Sequence, residues 1–203
     1  MFDEIFERFQ ENNPNPKTEL NAPNAYTFCI AVLLSAQTTD KAVNKATLEL
    51  FEIADSPEGM LKLGIDGLKS HIKTLGLYNN KAKNILLLSQ KLIDKFHSNV
   101  PKSREDLESL AGIGRKSANV ILNSLFDESY IAVDTHVFRV AKRLGLAKAQ
   151  TPVQLEKELM AVVPRKFHKN AGNWLVLHGR YICQARKPQC DDCFLHDLCE
   201  SAL

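Results

Sequence analysis

Residues 110–122 read LAGIGRKSANVIL. Two glycines flank a single isoleucine, two cations follow at once, and an apolar helical pattern resumes at Ala118, Ile121 and Leu122. A chain that stops, turns on Gly112-Ile113-Gly114 and restarts with charge in its first turn fits a helix–hairpin–helix. Leu107 and Leu110 belong to the first arm, and Ala118 and Ile121 to the second. Glycine permits positive φ and close backbone approach. The N–H groups that open the second helix can then face outward, where they and the helix dipole favour an anion. A DNA phosphate is the natural ligand, and such a contact positions a duplex without reading its sequence. The plainer alternative is a tight corner between two helices that binds nothing.

Downstream, residues 132–144 read AVDTHVFRVAKRL. Asp134 precedes a new helical pattern at Val137, Val140, Ala141 and Leu144. Asp is a favoured helix N-cap, and capping alone would explain it. The sharper alternative is a carboxylate that works with Lys116. A lysine amine attacks only when neutral, so a second group must manage its proton.

Four of the five cysteines crowd into the C-terminal segment, as C-x6-C-x2-C-x5-C at Cys183, Cys190, Cys193 and Cys199. Cys29 stands apart in the apolar run FCIAVLLSA and is expected to be a buried core thiol. In an intracellular chain, four clustered thiols point to a metal rather than to disulfides. Zinc and a [4Fe–4S] cluster both use four thiolates. Structural zinc usually takes two short C-x2-C knuckles, and only one is present, which favours the cluster. Such a group would staple the C-terminal loop, leaving Lys187 beside it to present charge to a phosphate. Arg180 and Arg186 either do the same or are simply solvated.

Helix signals fill the rest of the chain, so the expected class is all-α. The run from Thr27 to Ala54 holds two helical stretches with a polar break near Gln37–Asp40. Residues 80–98 are amphipathic, with Ile85, Leu88, Leu92 and Phe96 on one face. Ser103 and Thr151 read as helix N-caps, the latter followed by Pro152. The run LGLYNNKAKNIL repeats the Gly-Ala-Ile spacing of the hairpin, as a second hairpin or by chance.

At 203 residues, 44% of them hydrophobic, the chain can build one large domain or two small ones. No apolar run approaches the roughly 20 residues that span a bilayer. The acidic N-terminus is neither a signal peptide nor an arginine-rich transit peptide, so a soluble, intracellular protein is expected. The net charge of +2 conceals an asymmetry: residues 1–60 hold four Lys/Arg against ten Asp/Glu, and residues 135–190 hold eleven against two. The basic part either meets a polyanion or forms a solvated surface.

Together, the stretches LLSAQTTD, LGLYNNKAKNI, AGIGRKSANVIL, AVDTHVFRV and HGRYICQARKPQC, with the cysteine spacing, resemble the endonuclease III family of DNA base-excision-repair glycosylases. The match runs in order from about residue 12 to 199. Ala111 and Ser117 stand where that family commonly has proline and threonine. The resemblance implies a six-helix barrel over residues 22–131, with residues 1–21 and 132–203 forming a [4Fe–4S] cluster domain. It implies a bifunctional enzyme for oxidised pyrimidines in duplex DNA, with DNA in a groove between the domains. Lys116 and Asp134 would be catalytic. Gly112, Gly114, Arg115, His136 and Lys187 would contact DNA, and Gln37, Leu75 and Leu77 would fill the gap left by the flipped base. By hydropathy alone both leucines read as core. A monomer in the cytoplasm, at the nucleoid, is implied. Two rivals remain: the related adenine-mismatch glycosylase, which lacks a lysine at the Lys116 position and carries a further C-terminal domain, and a non-catalytic hairpin module with a metal staple.

Overall fold

The computed structural model describes residues 2–202, and every regular element among them is helical. The chain divides into two compact units: Glu19–Phe126, and a discontinuous unit of Met1–Thr18 with Asp127–Leu203.

The continuous unit holds six helices: α2 (Ala25–Leu34), α3 (Asp40–Ile53), α4 (Pro57–Ile72), α5 (Tyr78–Phe96), α6 (Arg104–Glu108) and α7 (Arg115–Phe126). Each start has a local cause. Asn24 and Thr27 form a reciprocal capping box on α2, and Thr39, Ser56 and Ser103 cap α3, α4 and α6. A side-chain oxygen at these positions satisfies N–H groups that the first turn leaves without intrahelical acceptors. Helix α2 is apolar all round, and nine of its ten residues are buried. Helices of that kind sit in the middle of a core. Ile30, Leu34, Leu50, Met60, Leu68, Ile85, Leu88 and Leu92 are fully buried in this unit. Truncating one of them to alanine costs about 2–5 kcal/mol. Cys29 lies on α2 with no exposed surface, and burial pushes its thiol up to about 12. It is an inert core thiol, as expected.

The repeated Gly-Ala-Ile spacing gives only a partial echo. Both segments turn between two helices, but the left-handed residue is Gly112 in one and Leu77, not Gly76, in the other. Phe96, expected on the buried face of α5, is only half-buried, because the helix ends there and the chain turns away through left-handed His97 and Ser98.

The discontinuous unit joins α1 (Phe2–Asn12) to α8 (Thr135–Arg143), α9 (Pro152–Val162) and α10 (His168–Tyr181). Its largely aliphatic core contains an aromatic cluster. Phe9 stacks on Trp174 at a centroid distance of 6.1 Å, and Phe6 stacks on Phe167 at 5.9 Å. The Trp174 indole N–H donates to the Asn13 carbonyl at 2.8 Å, so its polar edge is satisfied inside the core. Beyond α10 the chain is mostly irregular and holds the four C-terminal cysteines.

Candidate active site and metal centre

The hairpin joins α6 to α7. The Ile113 N–H donates to the Leu110 carbonyl at 3.1 Å, and the Ala118 N–H to the Gly114 carbonyl at 2.9 Å, so the new helix begins directly after the second glycine. The two glycines serve different ends. Gly112 has φ +81, and a Cβ there would lie 2.9 Å from Leu33 Cδ1 and 3.0 Å from the Asn84 amide nitrogen. Its conformation and its packing both exclude a side chain. A Cβ on Gly114 would meet nothing within 4 Å. Packing within the chain therefore does not require glycine at 114. Arg115 and Lys116 follow in the first turn of α7, and Lys116 is exposed.

Asp134 caps α8. Its Oδ1 accepts from the N–H groups of His136 at 2.8 Å and Val137 at 2.9 Å. Its Oδ2 faces His136 Nδ1 at 3.3 Å. One oxygen thus does the capping, and the other retains accepting capacity. The His136 ring is partly exposed and leans on the carboxylate.

Gln37 and Leu77 occupy two separate turns of the continuous unit. Both are exposed, Leu77 by 58%, and both are left-handed at φ 53 and 59. Leu75, two residues before Leu77, is buried at 3% exposure. Hydropathy reads these two leucines alike, and they differ because Leu77 begins α5 in a conformation that turns its side chain out. Lys187 and Arg186 are exposed, and Arg180 is half-buried.

The four C-terminal cysteines line one half-open pocket with an empty volume of about 330 Å³, together with Leu144, Ile182 and Pro188. Among the described residues, no three His, Cys, Asp or Glu side chains converge closely enough to hold a single ion. Four thiols around one shared space form a donor set that suits a thiolate-bound metal centre. Burial raises the Cys193 and Cys199 thiols above the ordinary range, so thiolates there need the positive charge of a metal. Three supporting groups had no signal in the sequence. Arg143 donates to Cys183 Sγ at 3.3 Å and to the carbonyls of Gln184 at 2.8 Å and Ala185 at 3.1 Å. Arg139 donates to the carbonyls of Gly179 at 2.8 Å and Cys183 at 3.1 Å. The buried His178 ring places Nε2 3.6 Å from Cys193 Sγ, and burial pushes its pKa down to about 4, so it is neutral. These partners lie 15 to 44 residues away in the chain, which no local pattern can reveal.

Comparison with known proteins accounts for both halves of this arrangement. Residues 30–165 match the HhH-GPD superfamily base excision DNA repair protein family, and residues 183–199, which begin and end on cysteine, match the iron–sulfur binding domain of endonuclease III. Endonuclease III of Haemophilus influenzae is 53% identical over 97% of this chain and 93% of its own. That of Escherichia coli K12 is 51% identical over the same shares. A solved trapped endonuclease III–DNA covalent intermediate superimposes with a TM-score of 0.93 at 39% identity, covering 100% of this chain and 97% of that one. With identity of this order along nearly its whole length, the chain belongs to the endonuclease III family.

Proposed function

We propose that Lys116 is the nucleophile with which this endonuclease III removes oxidised pyrimidines, such as thymine glycol, from duplex DNA. The enzyme is a DNA glycosylase with abasic-site lyase activity, and its cofactor is a [4Fe–4S] cluster. The observation that carries the Lys116 assignment is local. An exposed lysine stands two residues beyond Gly114, in the first turn of a helix that opens after a glycine whose added Cβ would meet nothing within 4 Å. A phosphate held by that backbone would bring the adjoining sugar to the amine.

The damaged base first leaves the stack, which costs least where stacking is already weak. Neutral Lys116 Nζ attacks the sugar C1′. The glycosidic bond breaks, and its electron pair leaves with the base, which takes up a proton. We assign Asp134 the proton transfers and the stabilisation of positive charge on the sugar, through the oxygen that capping leaves available. The bound amine gives up a proton, the C1′–O4′ bond opens with O4′ taking a proton, and the Schiff base so formed loses a C2′ proton, whose electrons expel the 3′ phosphate oxygen. Water then releases Lys116 from the cleaved strand.

Gln37 and Leu77 are assigned to the gap left by the flipped nucleotide, with Leu75 bracing the turn from inside. Gly112, Gly114, Arg115, His136 and Lys187 are assigned to backbone contacts. We assign Cys183, Cys190, Cys193 and Cys199 as the cluster ligands. These four thiolates would hold the cluster, which would supply a covalent staple for the C-terminal loop. The enzyme is taken to act as a monomer on nucleoid DNA in the cytoplasm. No described helix is long and apolar enough to cross a membrane, and sedimentation with and without duplex checks the stoichiometry.

Incubation with a thymine-glycol duplex and borohydride tests the chemistry directly. Wild type should give a covalent adduct on a denaturing gel and a cut strand. Lys116→Gln should bind the duplex and give neither product. Asp134→Asn should fold, because an amide oxygen still caps α8, and should lose on the order of a hundredfold in rate. An adduct of undiminished yield in Lys116→Gln would show that another amine attacks.

A further inference from the structure

The buried Lys81 has no part in the proposed chemistry, yet it touches both turns that carry the proposed gap-filling side chains. It lies in the first turn of α5 at 4% exposure, on the face that buries Ala82, Ile85, Leu88 and Leu92. An apolar residue would cost less there, because burial disfavours an ammonium and draws its pKa down. Its placement needs a return.

The hydrogen bonds supply one. Lys81 Nζ donates to Thr38 Oγ1 at 2.7 Å. That hydroxyl donates in turn to the Ala36 carbonyl at 3.3 Å, so the residues on either side of Gln37 are tied together. The Thr38 N–H donates to the Ser35 carbonyl at 3.1 Å and closes the same turn. At its other end Lys81 donates its backbone N–H to the Leu77 carbonyl at 3.0 Å. One residue therefore reaches the backbone of Leu77 directly and that of Ala36, just before Gln37, through a single hydroxyl. Both Gln37 and Leu77 are left-handed non-glycine residues, a conformation that persists only where the surroundings impose it.

We propose that Lys81 and Thr38 form a positioning clamp that holds the Gln37 and Leu77 turns at a fixed mutual spacing, so that both side chains can enter the vacated stack together. The inference rests on the assignment of Gln37 and Leu77 to that gap. Neither clamp residue touches the reacting atoms. Their effect falls on extrusion of the base, before the chemical steps.

Single-turnover rates on two duplexes separate these stages, one containing thymine glycol and one containing a preformed abasic site with no base to extrude. Holoenzyme carrying Thr38→Val, which keeps the shape and removes the hydroxyl, should lose roughly tenfold on thymine glycol and less than about twofold on the abasic site. Lys81→Met should show the same ratio. Thr38→Ser should restore it, because the hydroxyl returns. A 2-aminopurine opposite the lesion should brighten less on binding to Thr38→Val than to wild type. Equal losses on both duplexes, or a wild-type ratio in Thr38→Val, would overturn the clamp, and the threonine series decides even where Lys81→Met fails to fold. Gln37→Ala and Leu77→Ala are measured alongside. If they lose selectively on thymine glycol and Thr38→Val does not, the clamp alone is wrong. If they lose equally on both duplexes, the gap-filling assignment is wrong and the clamp falls with it.

Discussion

The glycine hairpin and the cysteine loop are both irregular backbone held in a fixed shape, and the chain holds them differently. The hairpin is held mainly by bonds that are short in sequence, Leu110 N–H to Leu107, Ile113 N–H to Leu110 and Ala118 N–H to Gly114, with one side chain from farther off, Lys91 Nζ on the Ser109 carbonyl at 2.7 Å. The loop of residues 183–199 has short bonds of its own, among them Cys193 N–H to the Cys190 carbonyl, His196 N–H to Cys193 and Leu198 N–H to Leu195. Its firmer holds come from afar. Arg143 gathers Cys183, Gln184 and Ala185. Arg8, on α1, donates to the Phe194 carbonyl at 3.0 Å and to both oxygens of Asp197 at 2.5 and 2.8 Å. Local bonds form wherever the adjoining helices form. The distant ones contribute only once the unit is assembled.

Loss of the cluster is therefore expected to separate the two regions most strongly. Cys190→Ser removes one of the four thiolates and should cost the discontinuous unit more than about 4 kcal/mol, the scale on which a lost structural metal acts. Purified wild-type protein should be brown, with about four irons per chain. Hydrogen exchange on the variant should show protection lost across 183–199 and retained across α7. Stoichiometric zinc in anaerobically prepared wild type would remove the basis for the comparison, and so would melting of α7 along with the loop.

The same contrast explains what could be read in advance. Caps at Ser103, Asp134 and Thr151, the hairpin glycines and the cysteine spacing are all local, and each lies within a few residues of the element it shapes. In the continuous unit, the helices within residues 27–54 and 80–98 and the two arms of the hairpin follow from such signals and from apolar runs. Arg8, Arg143, His178 and Lys81 were not legible. Each acts through a partner 15 to 189 residues away, and a cation in an amphipathic helix looks the same in sequence whether it is solvated or buried. Leu75 and Leu77 fail for another reason. Hydropathy cannot see a positive φ, and that backbone angle is what turns one leucine inward and the other out.

Within the hairpin, the two glycines sharpen the comparison at a smaller scale. Gly112→Ala forces a side chain into positive φ and against Leu33, so it should cost roughly 2 kcal/mol of stability. Gly114→Ala meets open space at an unstrained φ and should leave stability unchanged or raise it by about 0.5 kcal/mol. Its cost should appear in DNA affinity, where a methyl group stands in the way of a phosphate. Thermal unfolding and duplex titration read the two effects separately. Equal behaviour of the two variants in both assays would mean that the hairpin is only a corner.

The smallest effect is expected at Lys187, an exposed cation within the cysteine loop. Residues 135–190 carry eleven Lys/Arg against two Asp/Glu, so DNA affinity should fall steeply with salt as neutralised phosphates release counterions. A cation that meets one phosphate contributes about 0.9 to the slope of log affinity against log salt. Lys187→Ala should lower the slope by that amount and weaken damaged and undamaged duplexes alike, because a phosphate contact reads neither sequence nor lesion. Fold and iron content should not change, since Lys187 is exposed and is not one of the four cysteines. The Cys190→Ser variant should lose the same increment along with its ordered loop, and Lys187→Ala added to it should change nothing further. An undiminished slope in Lys187→Ala would mean that the cluster braces the discontinuous unit without presenting charge to DNA.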